Sequence, residues 1–150
     1  MKLRSYEPCD EAALIAMWHE TKVHAYPYLP TEQSYTVETD TAFFREHIAP
    51  RCEIWLAVDG DQLLGFLALA ASYIDRLYVH PDRQRRGAGE ALLEKAKQLS
   101  PGGLELHTHQ QNISACSFYE KHDFRAVRYG TSPPPESAPD VEYHWRPDVR

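Results

Sequence analysis

The feature that most constrains this chain is a strand that runs directly into an arginine- and glycine-rich loop and then into a helix. Tyr73 to Val79 reads as a strand, Pro81 stops it, and Gln84-Arg85-Arg86-Gly87-Ala88-Gly89 follows. A helix is predicted from about Gly87 to Leu99, with Leu92, Ala96 and Leu99 on one side. The first turn of any helix leaves about four backbone N–H groups without intrahelical partners. Ser, Thr, Asp or Asn at the N-cap usually satisfies some of them, yet none lies between Arg83 and Gly89. Glycines let a ligand approach bare backbone, and the helix dipole and the arginines favour an anion there. A phosphate or pyrophosphate is the economical occupant; the alternative is a solvated turn leading into a glycine-started helix. A nucleotide P-loop fits worse, because no Gly-Lys-Ser/Thr follows. The dinucleotide pattern lacks its third glycine.

The rest of the chain brackets this segment with ordinary elements. Leu3 to Tyr6 reads as a strand, and Asp10 as the N-cap of a helix with Ala13, Leu14, Met17 and Trp18 on one face. His24 to Tyr35, broken by Pro27 and Pro30, reads as a loop. Asp40 is the expected cap of a second helix, with Phe43, Phe44, His47 and Ile48 on its face and Pro50 at its end. Glu53–Val58 and Gln62–Ala70 read as strands joined by an Asp59-Gly60-Asp61 turn. Leu104–Thr108 is a further strand, Ile113–His122 a helix, and Phe124–Gly130 and Val141–Trp145 closing strands joined by a proline-rich connection. This order predicts an α/β (α+β) fold, with a mixed sheet carrying helices on both faces.

With 150 residues the chain is expected to form a single domain. A formal net charge of −6 argues against a nucleic-acid partner and leans towards cationic substrates. No apolar run approaches the roughly 20 residues of a membrane span, and Met1 to Tyr6 does not read as a signal peptide. Cys9, Cys52 and Cys116 are odd in number and widely spaced, so neither a disulfide framework nor a paired metal motif is expected. A reducing cytoplasm is the expected location, with no membrane partner.

A second segment, Asn112-Ile113-Ser114-Ala115-Cys116-Ser117-Phe118-Tyr119-Glu120-Lys121-His122-Asp123-Phe124, lies about 25 residues beyond the loop, with a strand between. Together the two segments resemble the GNAT superfamily of N-acetyltransferases. Gln84 to Gly89 is similar to its signature Q/R-x-x-G-x-G/A, and Asn112 to Phe124 to its N-x-x-A-x-x-F-Y-E-K-x-G-F segment. The resemblance covers most of the chain and implies a mostly antiparallel sheet of about seven strands flanked by four helices. It implies acetyl-CoA as cosubstrate, with the backbone of Gln84, Arg85, Arg86, Gly87, Ala88, Gly89 and Glu90 on the pyrophosphate. It also implies the strand residues Leu77, Tyr78 and Val79 beside the pantetheine arm, and Asn112 and Tyr119 at the cofactor. Asp123 departs from the family's glycine at a helix C-terminus; Asp tolerates the left-handed conformation that position requires, at a modest stability cost.

Chemically, a phenol can share a proton with a departing thiolate, since their reference pKa values are about 10 and 8.5. In the family a tyrosine at the position of Tyr119 is the general acid; its other reading is a core aromatic. Asn112 reads equally as a helix N-cap. An acceptor amine like that of lysine is deprotonated in about one molecule in a thousand or fewer at neutral pH, so a base is needed. Asp75 shares a strand face with Tyr73 by two-residue alternation and is the candidate base; a salt bridge with Arg76 is the alternative. His24, Tyr26, Tyr28 and Tyr73 are the candidate acceptor-binding residues, with Tyr35 in the same aromatic wall; the alternative is that the loop tyrosines simply cover the sheet edge. His107 and His109 share a face, but two histidines without a third ligand do not make a metal site, and no metal is expected. The expected reaction is direct acetyl transfer to a primary amine of a small molecule or peptide, by a monomer or homodimer. The rival reading is a catalytically silent acyl-CoA-binding module.

Overall fold

The computed structural model describes residues 1–25 and 35–147. Its elements are β1 (Lys2–Ser5), α1 (Glu11–Ala25), α2 (Val37–Phe43), β2 (Glu53–Asp59), β3 (Gln62–Ala70) and β4 (Tyr73–Val79). There follow α3 (Ala88–Leu99), β5 (Leu104–His109), α4 (Ile113–Lys121), β6 (Arg125–Thr131) and β7 (Pro139–Trp145). The strands form one seven-stranded sheet in the order β1-β2-β3-β4-β5-β7-β6. Among the described residues only β4 and β5 run parallel, and they share a single register pair, Tyr73 with Glu105. Beyond that pair the two strands diverge in the middle of the sheet.

Each face of the sheet is covered by two helices. Leu14, Ile15 and Trp18 of α1 and Phe44 and Ile48, just past α2, pack on Leu56, Phe66 and Ala68. Leu92, Leu93 and Ala96 of α3 and Tyr119 of α4 pack on Leu64, Leu67, Ile74 and Leu106. Burying a Leu- or Phe-sized side chain in this way contributes about 1.5–3 kcal/mol. The order of elements, the mixed sheet and its two-sided cover follow the sequence reading.

Two caps differ from expectation. Asp40 does not cap α2. Thr36 does, accepting from Thr39 N at 3.1 Å, while Thr39 Oγ1 accepts from Thr36 N at 2.8 Å. Asp40 lies inside the helix, 2% exposed, because it has a partner in α1. Asp10 ends a 3-10 turn (Pro8–Asp10) that leads into α1; it accepts from Glu7 N at 2.9 Å and from Arg4 at 2.7 and 2.8 Å. Asp123 takes a φ of +73°, the left-handed conformation that its place after α4 requires.

Candidate active site

The divergence of β4 and β5 opens a cleft of about 1480 Å³ between the N-terminus of α3, the length of β4, α4 and the C-terminal half of α1. One end of it is built from the loop before α3. Arg85 and Gly87 both have left-handed backbones, with φ of +65° and +81°. Gly87 is the N-cap of α3 and supplies no side-chain hydrogen bond. The ladder of α3 starts with Ala91 N donating to Gly87 O, which leaves the amides of Ala88, Gly89 and Glu90 ahead of it. A Cβ on Gly87 would meet no protein atom within 4 Å, so the approach to this helix end is open. The loop is fastened from behind: Arg83 donates to Leu63 O at 2.6 Å, and His80 Nδ1 accepts from Asp82 N at 3.1 Å. His80 Nε2 lies 2.7 Å from Glu20 in α1. A bare, clamped helix N-terminus with arginine beside it fits a pyrophosphate.

Gln84, Arg85, Gly87, Ala88, Gly89 and Glu90 line the cleft. Arg86 does not; its guanidinium turns to the β2–β3 hairpin, 3.2 Å from Gln62 and 3.9 Å from Asp59. Leu77, Tyr78 and Val79 line the cleft along β4. Gly65 makes their approach to β3 possible, since a Cβ there would collide with the Tyr78 carbonyl oxygen; nothing in the sequence marked it.

Tyr119 reaches the cleft from α4, 7% exposed, with its ring against Phe118, Phe124 and Tyr143 at 5.3, 5.4 and 6.1 Å. Asn112 caps α4 by accepting from Ala115 N at 3.1 Å and also lines the cleft. Burial, and then a hydrogen bond to Glu120, push the neighbouring Tyr143 hydroxyl far above the ordinary phenol range.

Asp75 sits at a bulge. Ala68 faces Arg76 and Leu69 faces Ile74, so Asp75 is the extra residue of β4 and the simple alternation is interrupted. Tyr73 and Asp75 nevertheless both line the cleft. The Asp75 carboxylate lies 3.5 Å from Arg76 and 3.7 Å from Arg51, so the ion pair read from sequence is present. Its Oδ2 is buried without a hydrogen bond. Burial, and then the Asp75 charge, raise the Tyr73 hydroxyl above its ordinary value, so the phenol holds its proton. The same two causes raise the Cys52 thiol.

At the far end His24 lines the cleft from the last turn of α1. Tyr26 and Tyr28 lie outside the described residues. Sequence reasoning missed much of this wall. Lys22 and Asp40 form a buried ion pair at 2.6 Å, His19 Nδ1 lies 2.8 Å from the same carboxylate, and Lys22 Nζ is 4.0 Å from the centre of the Trp18 ring. A Lys and an Asp 18 residues apart give no local signal. The β6–β7 connection also enters the wall with Ser132, Pro133 and Glu136, and Ala138 beyond them packs near Ala25 and Tyr78. His107, weighed above only as a metal ligand, lines the cleft and bonds Tyr73. Among the described residues no three His, Cys, Asp or Glu side chains are placed to hold a metal ion. Nor is any helix there long and apolar enough to cross a membrane.

Comparison with known proteins agrees with this geometry. A family model described as the acetyltransferase (GNAT) family matches residues 15–124. The peptidyl-lysine N-acetyltransferase YjaB of Salmonella typhimurium is 32% identical over 115 residues, covering 76% of each chain. The solution structure of apo YjaB from Escherichia coli superposes with a TM-score of 0.80 at 23% identity, over 96% of each chain. The structure of yncA, a putative acetyltransferase of Salmonella typhimurium with acetyl-CoA, superposes with a TM-score of 0.75 at 13% identity, over 100% of this chain and 95% of that one. A fold, a bare helix N-terminus and a family match converge: the chain belongs to the GNAT family and is an N-acetyltransferase.

Proposed function

We propose that this enzyme moves acetyl from acetyl-CoA directly to a primary amine, and that a lysine side chain of a peptide is the acceptor class. The observation that carries the reading is the uncapped start of α3, opening on the same cleft that Tyr119 and Asp75 enter. The peptide acceptor is supported by the name of the YjaB relative and by the acidic balance of the chain.

Backbone amides from Gln84 to Glu90, Arg86 included through its main chain, hold the pyrophosphate, with the Arg85 side chain beside it. Asn112 borders the cofactor from α4. Leu77, Tyr78 and Val79 present the β4 edge, free of β5, to the pantetheine arm. Acetyl-CoA supplies an activated thioester. A β4 amide near Leu77 polarises its carbonyl as the amine attacks. Asp75, whose buried Oδ2 accepts no hydrogen bond although Arg76 lies 3.5 Å away, takes the amine proton directly or through water. Tyr119 protonates the departing thiolate. His24, Tyr73 and the aromatic wall, with Tyr26 and Tyr28, receive the acceptor. The active unit is a monomer or homodimer acting in the cytoplasm, with no metal and no nucleic-acid partner.

Replacing Tyr119 with Phe separates the acid from the scaffold. The variant is expected to bind acetyl-CoA like the native protein and to turn over about a hundredfold more slowly. Unchanged turnover removes Tyr119 from the mechanism.

A further inference from the structure

Acetyl transfer to an ammonium releases a proton that the thiol does not take. R–NH3+ and CoA–S–CO–CH3 give R–NH–CO–CH3, CoA–SH and H+. The nitrogen sheds two protons; one returns to sulfur through Tyr119, and the other must leave the cleft.

A polar chain leads out of the cleft where β4 and β5 part. Tyr73 Oη lies 2.9 Å from His107 Nδ1, and both side chains line the cleft. His107 is 44% exposed, so it touches both the cleft and solvent. Its Nε2 lies 3.5 Å from Glu142 Oε1 across the β5–β7 ladder. Glu142 is itself fixed, 2.7 Å from Arg128 of β6 and 2.6 Å from His144 of β7. The groups facing this chain are Asp75 and Arg76 from β4, Glu142 and His144 from β7, and Arg128 from β6. Glu105, next on the same face of β5, is occupied by Ser72 and Arg146, each at 2.8 Å.

We propose that Tyr73 and His107 are the proton exit of the active site. The surplus proton, delivered by Asp75 or a water, binds the Tyr73 oxygen as the Tyr73 hydroxyl passes its own proton to His107 Nδ1. The imidazolium is held by Glu142 and loses its Nε2 proton to water; water then returns a proton to Nε2 as Nδ1 gives one up, which restores the resting tautomer with one net proton released. No bond other than those to hydrogen is made or broken. The raised Tyr73 hydroxyl fits this role, since a phenol that stays protonated conducts without becoming a trapped phenolate. His107 acts through Tyr73 and not on the substrate, so it is a proton-carrying rather than a catalytic residue. This proposal rests on the acetyl-transfer reading.

Two measurements test it. Nitrogen-15 shifts of the imidazole, read without turnover, are expected to show neutral His107 with Nε2 protonated and Nδ1 accepting, a pattern lost in Tyr73→Phe. An Nδ1–H tautomer would reverse the chain and overturn the proposal. In steady state with a lysine-containing peptide, His107→Gln, which keeps an acceptor for Tyr73 but carries no proton, is expected to lower kcat about a hundredfold in a weak buffer. Both KM values and the unfolding temperature are expected to stay unchanged, and added imidazole to restore the rate. A His107→Gln enzyme as fast as the native one, or a loss that imidazole does not restore, refutes the exit. A native protein that shows the expected tautomer but releases no thiol counts against acetyl transfer itself.

Discussion

The two glycines at the start of α3, Gly87 and Gly89, should respond to the same substitution with opposite signs. Gly87 has φ of +81° and nothing within 4 Å of where a Cβ would stand. Alanine there meets no atom of the protein, so its cost is the left-handed backbone alone, about 1–2 kcal/mol. For a chain of this size that lowers the unfolding temperature by roughly 2–8 °C. The strained loop also turns the α3 amides from their alignment. Losing one hydrogen bond to a charged phosphate costs about 1.5–3 kcal/mol, so acetyl-CoA affinity should fall between about tenfold and about a hundredfold. Gly89 lies inside α3, where a Cβ would touch Phe118 at 3.4 Å and Val79 at 3.6 Å, ordinary packing distances. In a helix interior alanine is favoured over glycine by about 0.8–1.0 kcal/mol, an upper limit for this first-turn position, so Gly89→Ala should raise the unfolding temperature by up to about 4 °C and keep its affinity. Thermal unfolding and calorimetric titration of both variants decide the matter. A Gly87→Ala protein that melts and binds like the native one would refute the reasoning, as would a Gly89→Ala protein that alone loses the ligand.

The Lys22–Asp40 pair, with side chains 7% and 3% exposed, makes Asp40→Ala costly by about 3–5 kcal/mol. Chemical denaturation should show that loss, and Lys22→Met combined with Asp40→Leu should recover most of it; an undiminished Asp40→Ala protein would mean the pair is not buried. The Arg4 hydrogen bonds hold the Asp10 carboxyl below its ordinary range. A group whose pKa is lower folded than unfolded adds stability that is present above the unfolded value, about 3.9, and is lost as pH falls through the folded one. Asp10→Asn should therefore be less stable than the native protein at neutral pH and converge with it in strong acid; a gap independent of pH would contradict the assignment.

What the sequence showed and what it hid divide by distance along the chain. The uncapped loop before α3 was legible because its signals are local: a strand ended by Pro81, no capping side chain before Gly89, and glycine where φ turns positive. The cap of α4 by Asn112 and the left-handed Asp123 were legible for the same reason. Asp40 was misread as a cap because its partner, Lys22, lies a helix away, while Thr36 and Thr39 formed the capping box a turn earlier. The bulge at Asp75 depends on the register of β3 against β4, which no residue of β4 announces. The partner of Tyr73 is His107, 34 residues on. Arg86 faces away because Gln62 and Asp59, in another hairpin, offer it acceptors. Local chemistry writes the α3 end of the cleft into the sequence; the opposite end is assembled from α1, α2, β5 and the β6–β7 connection.

The most direct test of the central claim is to incubate the native protein with acetyl-CoA and a lysine-containing peptide, following free thiol and the masses of peptide and protein together. The account predicts that thiol appears in step with a peptide carrying one added acetyl group. It also predicts that the protein incubated with acetyl-CoA alone gains no acetyl. Thiol release without an acetylated peptide would overturn the acceptor class, an acetylated enzyme that chases into product would overturn direct transfer, and an intact thioester with no calorimetric binding would contradict the account as a whole.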